Sequence, residues 1–309
     1  MNIIFMGTPQ FAVPSLNILL NSHHKISAVV TVPDKPKGRG QHLAQSDVKK
    51  FAANAGLYIL QPDSLKDAGF TEEIKSLSPD LIVVVAFRIL PKNIFKLPKF
   101  GSINLHASLL PKYRGAAPIN WAVINGERET GVTTFFLQEK VDTGSIIMQK
   151  SIDILIDDNA GTIHDKLMDI GARVVFDTVD LIENTNGAPP VFKQNNGEAT
   201  PAPKIFKDDC RIDFDRSVDE VYDFIRGLSP YPGAFTEHRG KQIKIFSTSK
   251  SHWDSLKGPG RFLIKEGKLF VSTLNEFLEV TELQMEGKKR MNSAEFLNGY
   301  SDLFKKFKA

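Results

Sequence analysis

Four short apolar runs, each set off from the next by polar or helix-like chain, constrain the fold most. They are NIIFMG (2–7), KISAVVTV (25–32), DLIVVVAF (80–87) and SINLH (102–106). Between them lie PSLNILLNS (14–22) and SDVKKFAANAG (46–56), the second with Ser46 at an N-cap position and Gly56 just past its end. LIVVVAF is apolar on both faces, as a strand must be when helices cover both sides of its sheet. This alternation predicts an α/β domain built on a doubly wound, mostly parallel, Rossmann-like sheet. Two later runs, VTTFFLQ (132–138) and SIIMQKSIDI (145–154), flank VDTG with too little chain for a crossover helix, so an antiparallel excursion is expected there. A long helix is expected over 161–183, with Ile163, Leu167, Ile170, Val174 and Leu181 near one stripe.

The composition then changes. Residues 184–204 hold four prolines and two glycines among several Asn, which reads as an interdomain linker. Beyond it a helix over 217–228 precedes short alternating strands, a pattern that suggests a small OB-like β-barrel. The expected division is therefore a domain over 1–188, a linker over 189–206 and a barrel domain over 207–309. With 309 residues and 41% apolar content the chain can build sizeable cores. No run approaches the ~18 apolar residues of a membrane span, and MNIIFMGTPQ carries no export signal. The one cysteine, Cys210, excludes an internal disulfide and a Cys-rich zinc site, as suits a reducing cytoplasm. From Lys204 onward there are 19 Lys/Arg against 16 Asp/Glu, so the whole net charge of +3 falls in that part. A polyanionic partner and a plain solvated basic face both account for it.

Asn104 and His106 stand two apart at the end of an expected strand and so share a face. In open α/β sheets the carboxyl ends of strands are where ligands bind. An imidazole can carry a proton near neutral pH, and an amide can donate to a developing oxyanion. Together they suit acyl transfer to an amine, although N-x-H alone describes satisfied core polar groups equally well. Asp142, in VDTG, is a candidate third member or an ordinary turn aspartate.

SINLHASLLPKYRGAAPINWA (102–122) followed by VDTGSII (141–147) resembles the active-site signature of the folate-dependent formyltransferases. FMGTPQFAVPSL (5–16), TVPDKPKGRG (31–40), APKIFKDDCRIDF (202–214), RGLSPYPGAFT (226–236) and LQMEGKKRM (283–291) are similar to the branch of that family acting on methionyl-tRNA. The resemblance covers essentially the whole chain. It implies transfer of a formyl group from 10-formyltetrahydrofolate, a co-substrate, to the α-amino group of methionine on initiator tRNA, in the cytoplasm, by a monomer. It implies catalytic roles for Asn104, His106 and Asp142, and a folate pocket lined by Ser108, Leu109, Leu110 and Pro111. Phe87, Ile89 and Leu90, in VVAFRILP, would add contacts to the pterin. It further implies tRNA contacts from Lys35, Lys37 and Arg39 in a basic loop, and from Lys288, Lys289 and Arg290 in the second domain.

Two departures from the family pattern stand out. Gln41 and His42 replace the usual lysines after Gly-Arg-Gly, and AFRILP is one residue short. A sugar-nucleotide formyltransferase and a formate-releasing hydrolase are rival readings that the loop over 32–50 and the second domain argue against; a non-catalytic RNA-binding protein is a third, against which the presence of Asn104, His106 and Asp142 argues. No metal is expected, since His23, His24, His164, His238 and His252 lack ligand spacing. Gly7 lacks the further glycines of a dinucleotide loop.

Overall fold

The computed structural model describes residues 1–37, 42–255 and 258–304. Seven strands form the first sheet: β1 (Asn2–Gly7), β2 (Lys25–Val30), β3 (Ile59–Leu60), β4 (Leu81–Val85), β5 (Ser102–His106), β6 (Glu129–Phe136) and β7 (Ile146–Asp153). Their order is β7-β6-β5-β4-β1-β2-β3. The pairings from β5 through β3 are parallel, and β6 runs antiparallel to β5. Burial explains the sequence pattern: all five residues of β4 and five of the six in β1 are buried. Ser46 caps the helix Asp47–Asn54 by accepting from the Lys49 backbone N–H, and Gly56 takes the left-handed conformation that ends it, at φ +68°. The long helix spans Ala160–Asn184, and Ile163, Leu167, Val174, Val175, Val179 and Ile182 are its buried stripe.

Contacts divide the chain into two compact units that are not consecutive blocks. One comprises 1–115, 130–152 and 164–201; the other comprises 116–129, 153–163 and 202–309. The domain limits expected from composition follow the chain linearly, whereas two early excursions belong with the C-terminal unit. Within that unit the helix Pro118–Ile124 lies against the helix Val218–Gly227, where Asn120 Nδ2 donates to the Gly227 carbonyl at 2.8 Å. The loop over 153–163 is tied in by the Tyr222 hydroxyl, which donates to Ile156 O at 2.8 Å, and by Arg226, which donates to Asp158 O at 2.8 Å.

The second unit carries an antiparallel sheet of β8 (Ala234–His238), β9 (Lys241–Asp254), β10 (Phe262–Lys265), β11 (Lys268–Ser272) and β12 (Glu276–Met285), in the order β8-β9-β12-β11-β10. A short β13 (Met291–Asn292) pairs with β12. Irregular register between β9 and β12 bends the long strand. Ile225, Leu228, Ile243, Ile245, Leu278 and Phe296 are among the residues that fill its core. The short alternating strands expected in this part of the sequence form this six-stranded antiparallel sheet among the described residues.

The Pro- and Asn-rich stretch is held in place. Phe192 exchanges both backbone hydrogen bonds with Ile146 at 2.8 Å, and Thr200 accepts from Arg114 N at 2.9 Å and, through its hydroxyl, from Tyr113 N at 2.8 Å.

Candidate active site

Strand β5 presents Asn104 between Val84 of β4 and Phe135 of β6, and ends at His106. His106 is buried; the Asn104 amide is half-buried, and its side chain has no hydrogen-bond partner among the described residues. That leaves its N–H and C=O groups available for hydrogen bonding to a ligand. His106 Nε2 lies 2.8 Å from the Tyr113 carbonyl. A carbonyl only accepts, so Nε2 carries the proton and Nδ1 keeps its lone pair in the neutral ring. Nδ1 faces the carboxylate of Asp142, 3.9 Å from Oδ2. That separation is an ion-pair distance rather than a hydrogen bond. The resemblance implies that the aspartate orients the ring and favours its charged form; among the described contacts the ring is hydrogen-bonded to Tyr113 O, and the Asp142 carboxylate stands at ion-pair distance. At 3.9 Å a carboxylate attracts an imidazolium by about 4 kcal/mol at an effective dielectric constant of ~20.

Asp142 is itself tightly placed. It is buried, its backbone is left-handed at φ +54°, and its Oδ2 accepts from Gly115 N at 3.0 Å. Gln194 Nε2 donates to Asp142 O at 3.0 Å and to Gly144 O at 2.8 Å. Arg114 donates to Gln194 Oε1 through Nε at 3.1 Å and Nη2 at 2.6 Å. Sequence reading missed Gln194 and Arg114. Gln194 lay in apparent linker and Arg114 inside the 102–122 signature with no role assigned to it, and no local pattern marks a contact spanning 80 residues.

The segment after His106 is a closed turn. Ser108 Oγ donates to Lys112 O at 2.7 Å, and the Thr133 hydroxyl donates to Ser108 O at 2.6 Å while accepting from Leu110 N at 3.1 Å. Gln149 adds a bond to Leu110 O at 2.9 Å. Leu110 is buried against Phe135 and Ile146, while Leu109 and Pro111 are half-buried.

Past β4, Ala86 is left-handed at φ +47°, which turns the chain sharply. Phe87 and Leu90 pack into the core, and Ile89 is 76% exposed. Residues 88–91 and 63–66 line a cavity of about 430 Å³. Arg88 is pinned there by its bonds to Pro62 O and Asp63 O, at 2.9 and 3.1 Å, and burial lowers its affinity for the proton.

Among the basic candidates, Lys35 is exposed in a short ladder of Lys35–Lys37 with His42–Ala44, to which Lys37 contributes its backbone. Arg39 and Gln41 lie outside the described residues. Lys288 and Lys289 are exposed, and the Lys288 ammonium sits 5.5 Å from the Tyr300 ring. Arg290 is already engaged: it makes a two-pronged ion pair with Glu282 and covers the Phe246 ring at 4.3 Å.

One cluster was invisible in the spacing of the histidines. The ligand atoms of His23, His24, Asp180 and Glu183 lie within 4.8 Å of one another. The Met1 ammonium faces His24 Nδ1 at 3.2 Å and donates to it, so Nε2 carries the ring proton and donates it to Asp180 at 2.9 Å. Both ring nitrogens of His24 are thus engaged, and the described contacts of the group form an ion-pair network. Glu183, bonded to the Met1 ammonium at 2.8 Å and to His23 at 2.6 Å, has its pKa lowered to about 2. No helix among the described residues is long and apolar enough to cross a membrane.

A covered, mostly parallel sheet with an amide, an imidazole and a carboxylate gathered at the end of one strand defines an α/β enzyme equipped for acyl transfer. The Formyl transferase profile matches residues 1–179 and the Formyl transferase C-terminal domain profile matches 204–301. The chain belongs to the formyl transferase family, among the methionyl-tRNA formyltransferases. It is 48% identical to the methionyl-tRNA formyltransferase of Parabacteroides distasonis, over 98% of this chain and 97% of that one. It is 46% identical to that of Bacteroides thetaiotaomicron, over 97% and 96%. Among solved structures, an N-formyltransferase from Helicobacter canadensis in complex with folinic acid and dTDP-3-aminofucose shares the fold, with TM-score 0.68, 24% identity and 90% and 98% coverage. A variant of HypX from Aquifex aeolicus shares it too, with TM-score 0.66 and 19% identity; the match covers 99% of this chain and 48% of HypX.

Proposed function

We propose that this enzyme transfers the formyl group of 10-formyltetrahydrofolate to the α-amino group of methionine carried by initiator tRNA. The observation that carries the chemistry is the partition of His106. One ring nitrogen is fixed on a carbonyl, and the other holds a lone pair facing a carboxylate 3.9 Å away. The tRNA substrate is that of the relatives sharing nearly half the residues over the full chain.

In this reading the amine, with an ordinary pKa of about 8, attacks as its neutral form and a C–N bond forms at the formyl carbon. The formyl oxygen gains negative charge, and the Asn104 amide, uncommitted to any described side-chain partner, donates to it. The attacking nitrogen becomes positive and passes its proton to the His106 Nδ1 lone pair. Asp142 meets the imidazolium charge without taking the proton. The bond to the folate nitrogen then breaks as His106 returns the proton to it. Backbone of the 107–112 turn and the 87–90 segment would border the folate. Lys35, Lys37, Arg39, Lys288 and Lys289 would supply phosphate contacts, with a smaller share from Arg290 because Glu282 already neutralises it. Work in the cytoplasm, as a monomer, belongs to the same reading.

The test is incubation with methionyl-initiator tRNA and 10-formyltetrahydrofolate, beside an amino-sugar nucleotide as the alternative acceptor. Formyl-methionyl-tRNA as the sole formylated product is expected. Formylation of the sugar alone, or release of free formate alone, would overturn the assignment.

A further inference from the structure

We propose that Gln194 is a positioning residue that holds Asp142 in register with His106, so that the stretch read as linker is part of the catalytic apparatus. This rests on the role given to Asp142 above and adds what keeps that carboxylate in place.

The Gln194 side chain is buried and every hydrogen-bonding position on its amide is used. Its two N–H groups go to Asp142 O and Gly144 O, at 3.0 and 2.8 Å, and its oxygen receives two donors from Arg114. Carbonyls only accept and guanidinium only donates, so the orientation of the amide is forced. The chain residue next to Arg114 closes the circuit, because Gly115 N donates to Asp142 Oδ2 at 3.0 Å. One ring of hydrogen bonds thus joins the Asp142 carboxylate, residues 114–115, Gln194 and the Asp142 carbonyl. It encloses a residue whose left-handed backbone, φ +54°, is costly for a side chain with a Cβ. Nothing else described bonds to both carbonyls flanking Thr143. Phe192 and Thr200 anchor the segment on either side, so Gln194 is presented from a fixed frame.

The prediction concerns turnover rather than binding, since the described hydrogen bonds of Gln194 go to the Asp142 turn and Arg114 and not to the ring or amide of the site. Gln194→Glu keeps side-chain length and an acceptor for Arg114 but removes both donors to the turn. It is expected to lower kcat by about ten- to a hundredfold, by analogy with the loss of an outer partner of a metal ligand, with the KM of each substrate within about threefold. Placed on an Asp142→Ala background, the same change should cost less than about twofold, because no carboxylate remains to be positioned. Gln194→Ala is the second variant, and the melting temperature of each is recorded. An equal fold-loss on both backgrounds, or a Gln194→Glu enzyme with the kcat of the wild type, would overturn the proposal. If Asp142→Ala itself turns over normally, the role of the carboxylate fails and this proposal with it. If Asp142→Ala is crippled while Gln194→Glu is not, only the positioning role fails.

Discussion

His106 donates its Nε2 proton to the Tyr113 carbonyl at 2.8 Å, and this one bond decides which ring nitrogen faces Asp142. The consequence is a division of contacts: a backbone oxygen sets the tautomer, and under the proposed mechanism the carboxylate would answer a charge forming on the ring. Asp142→Asn removes that charge while keeping the shape and the capacity to accept from Gly115 N. A drop in kcat of about a hundredfold or more is expected, with the melting temperature within a few degrees. Steady-state kinetics beside thermal denaturation would check it, and a drop confined to KM would remove Asp142 from the chemistry.

Asn104 tests the oxyanion role. Because its side chain has no described hydrogen-bond partner, Asn104→Ala should leave stability nearly unchanged while lowering kcat by about 10²–10³, the cost of one oxyanion donor. Asn104→Asp, which replaces a donor with an acceptor, should be at least as damaging. Wild-type turnover in either variant would show that another group holds the oxygen.

The C-terminal unit offers a stability test independent of catalysis. A Cβ placed on Gly227 would stand 2.5 Å from Ile124 Cγ1 and 2.8 Å from Ile124 N. Gly227→Ala must push the two helices apart, which is expected to cost about 1–3 kcal/mol and to lower the midpoint of urea unfolding. Gly240→Ala cannot serve as a clean control, because φ there is +70°; Ser301→Ala, half-exposed at the C-terminal cap of the helix Ser293–Tyr300, can.

Acid stability should report on Glu183. Its folded pKa of about 2 lies below the ordinary 4.5, so its contribution is fully present above pH 4.5 and is lost as pH falls towards 2. The side chain is a third exposed, so solvent screening reduces the effect to about 1 kcal/mol. Glu183→Gln should lower the melting temperature at pH 7 and flatten its decline between pH 4.5 and 2. Parallel melting curves for both proteins at all pH values would contradict the pairing.

The sequence carried a good deal of this, unevenly. Apolar runs such as LIVVVAF announced covered strands because burial on both faces leaves no room for alternation. Ser46 and Gly56 marked helix ends because capping is a local matter of backbone donors and φ. The face shared by Asn104 and His106 followed from the two-residue period of a strand. What stayed hidden was whatever depends on how loops close and on residues far apart in the chain. The Tyr113 carbonyl became a partner only when the 107–112 turn closed. Gln194 met the Asp142 turn across 52 positions. The return of 116–129 and 153–163 to the C-terminal unit leaves no mark in composition, since those stretches are apolar or polar like any others.

The amide–imidazole–carboxylate constellation is tested most directly by single-turnover formyl transfer, with enzyme in excess of methionyl-tRNA, for the wild type and His106→Ala. The account predicts a transfer rate lower by about 10²–10⁴ in the variant, with folate affinity and melting temperature retained. A His106→Ala rate within about threefold of the wild type would contradict it, since no proton would then pass through the ring.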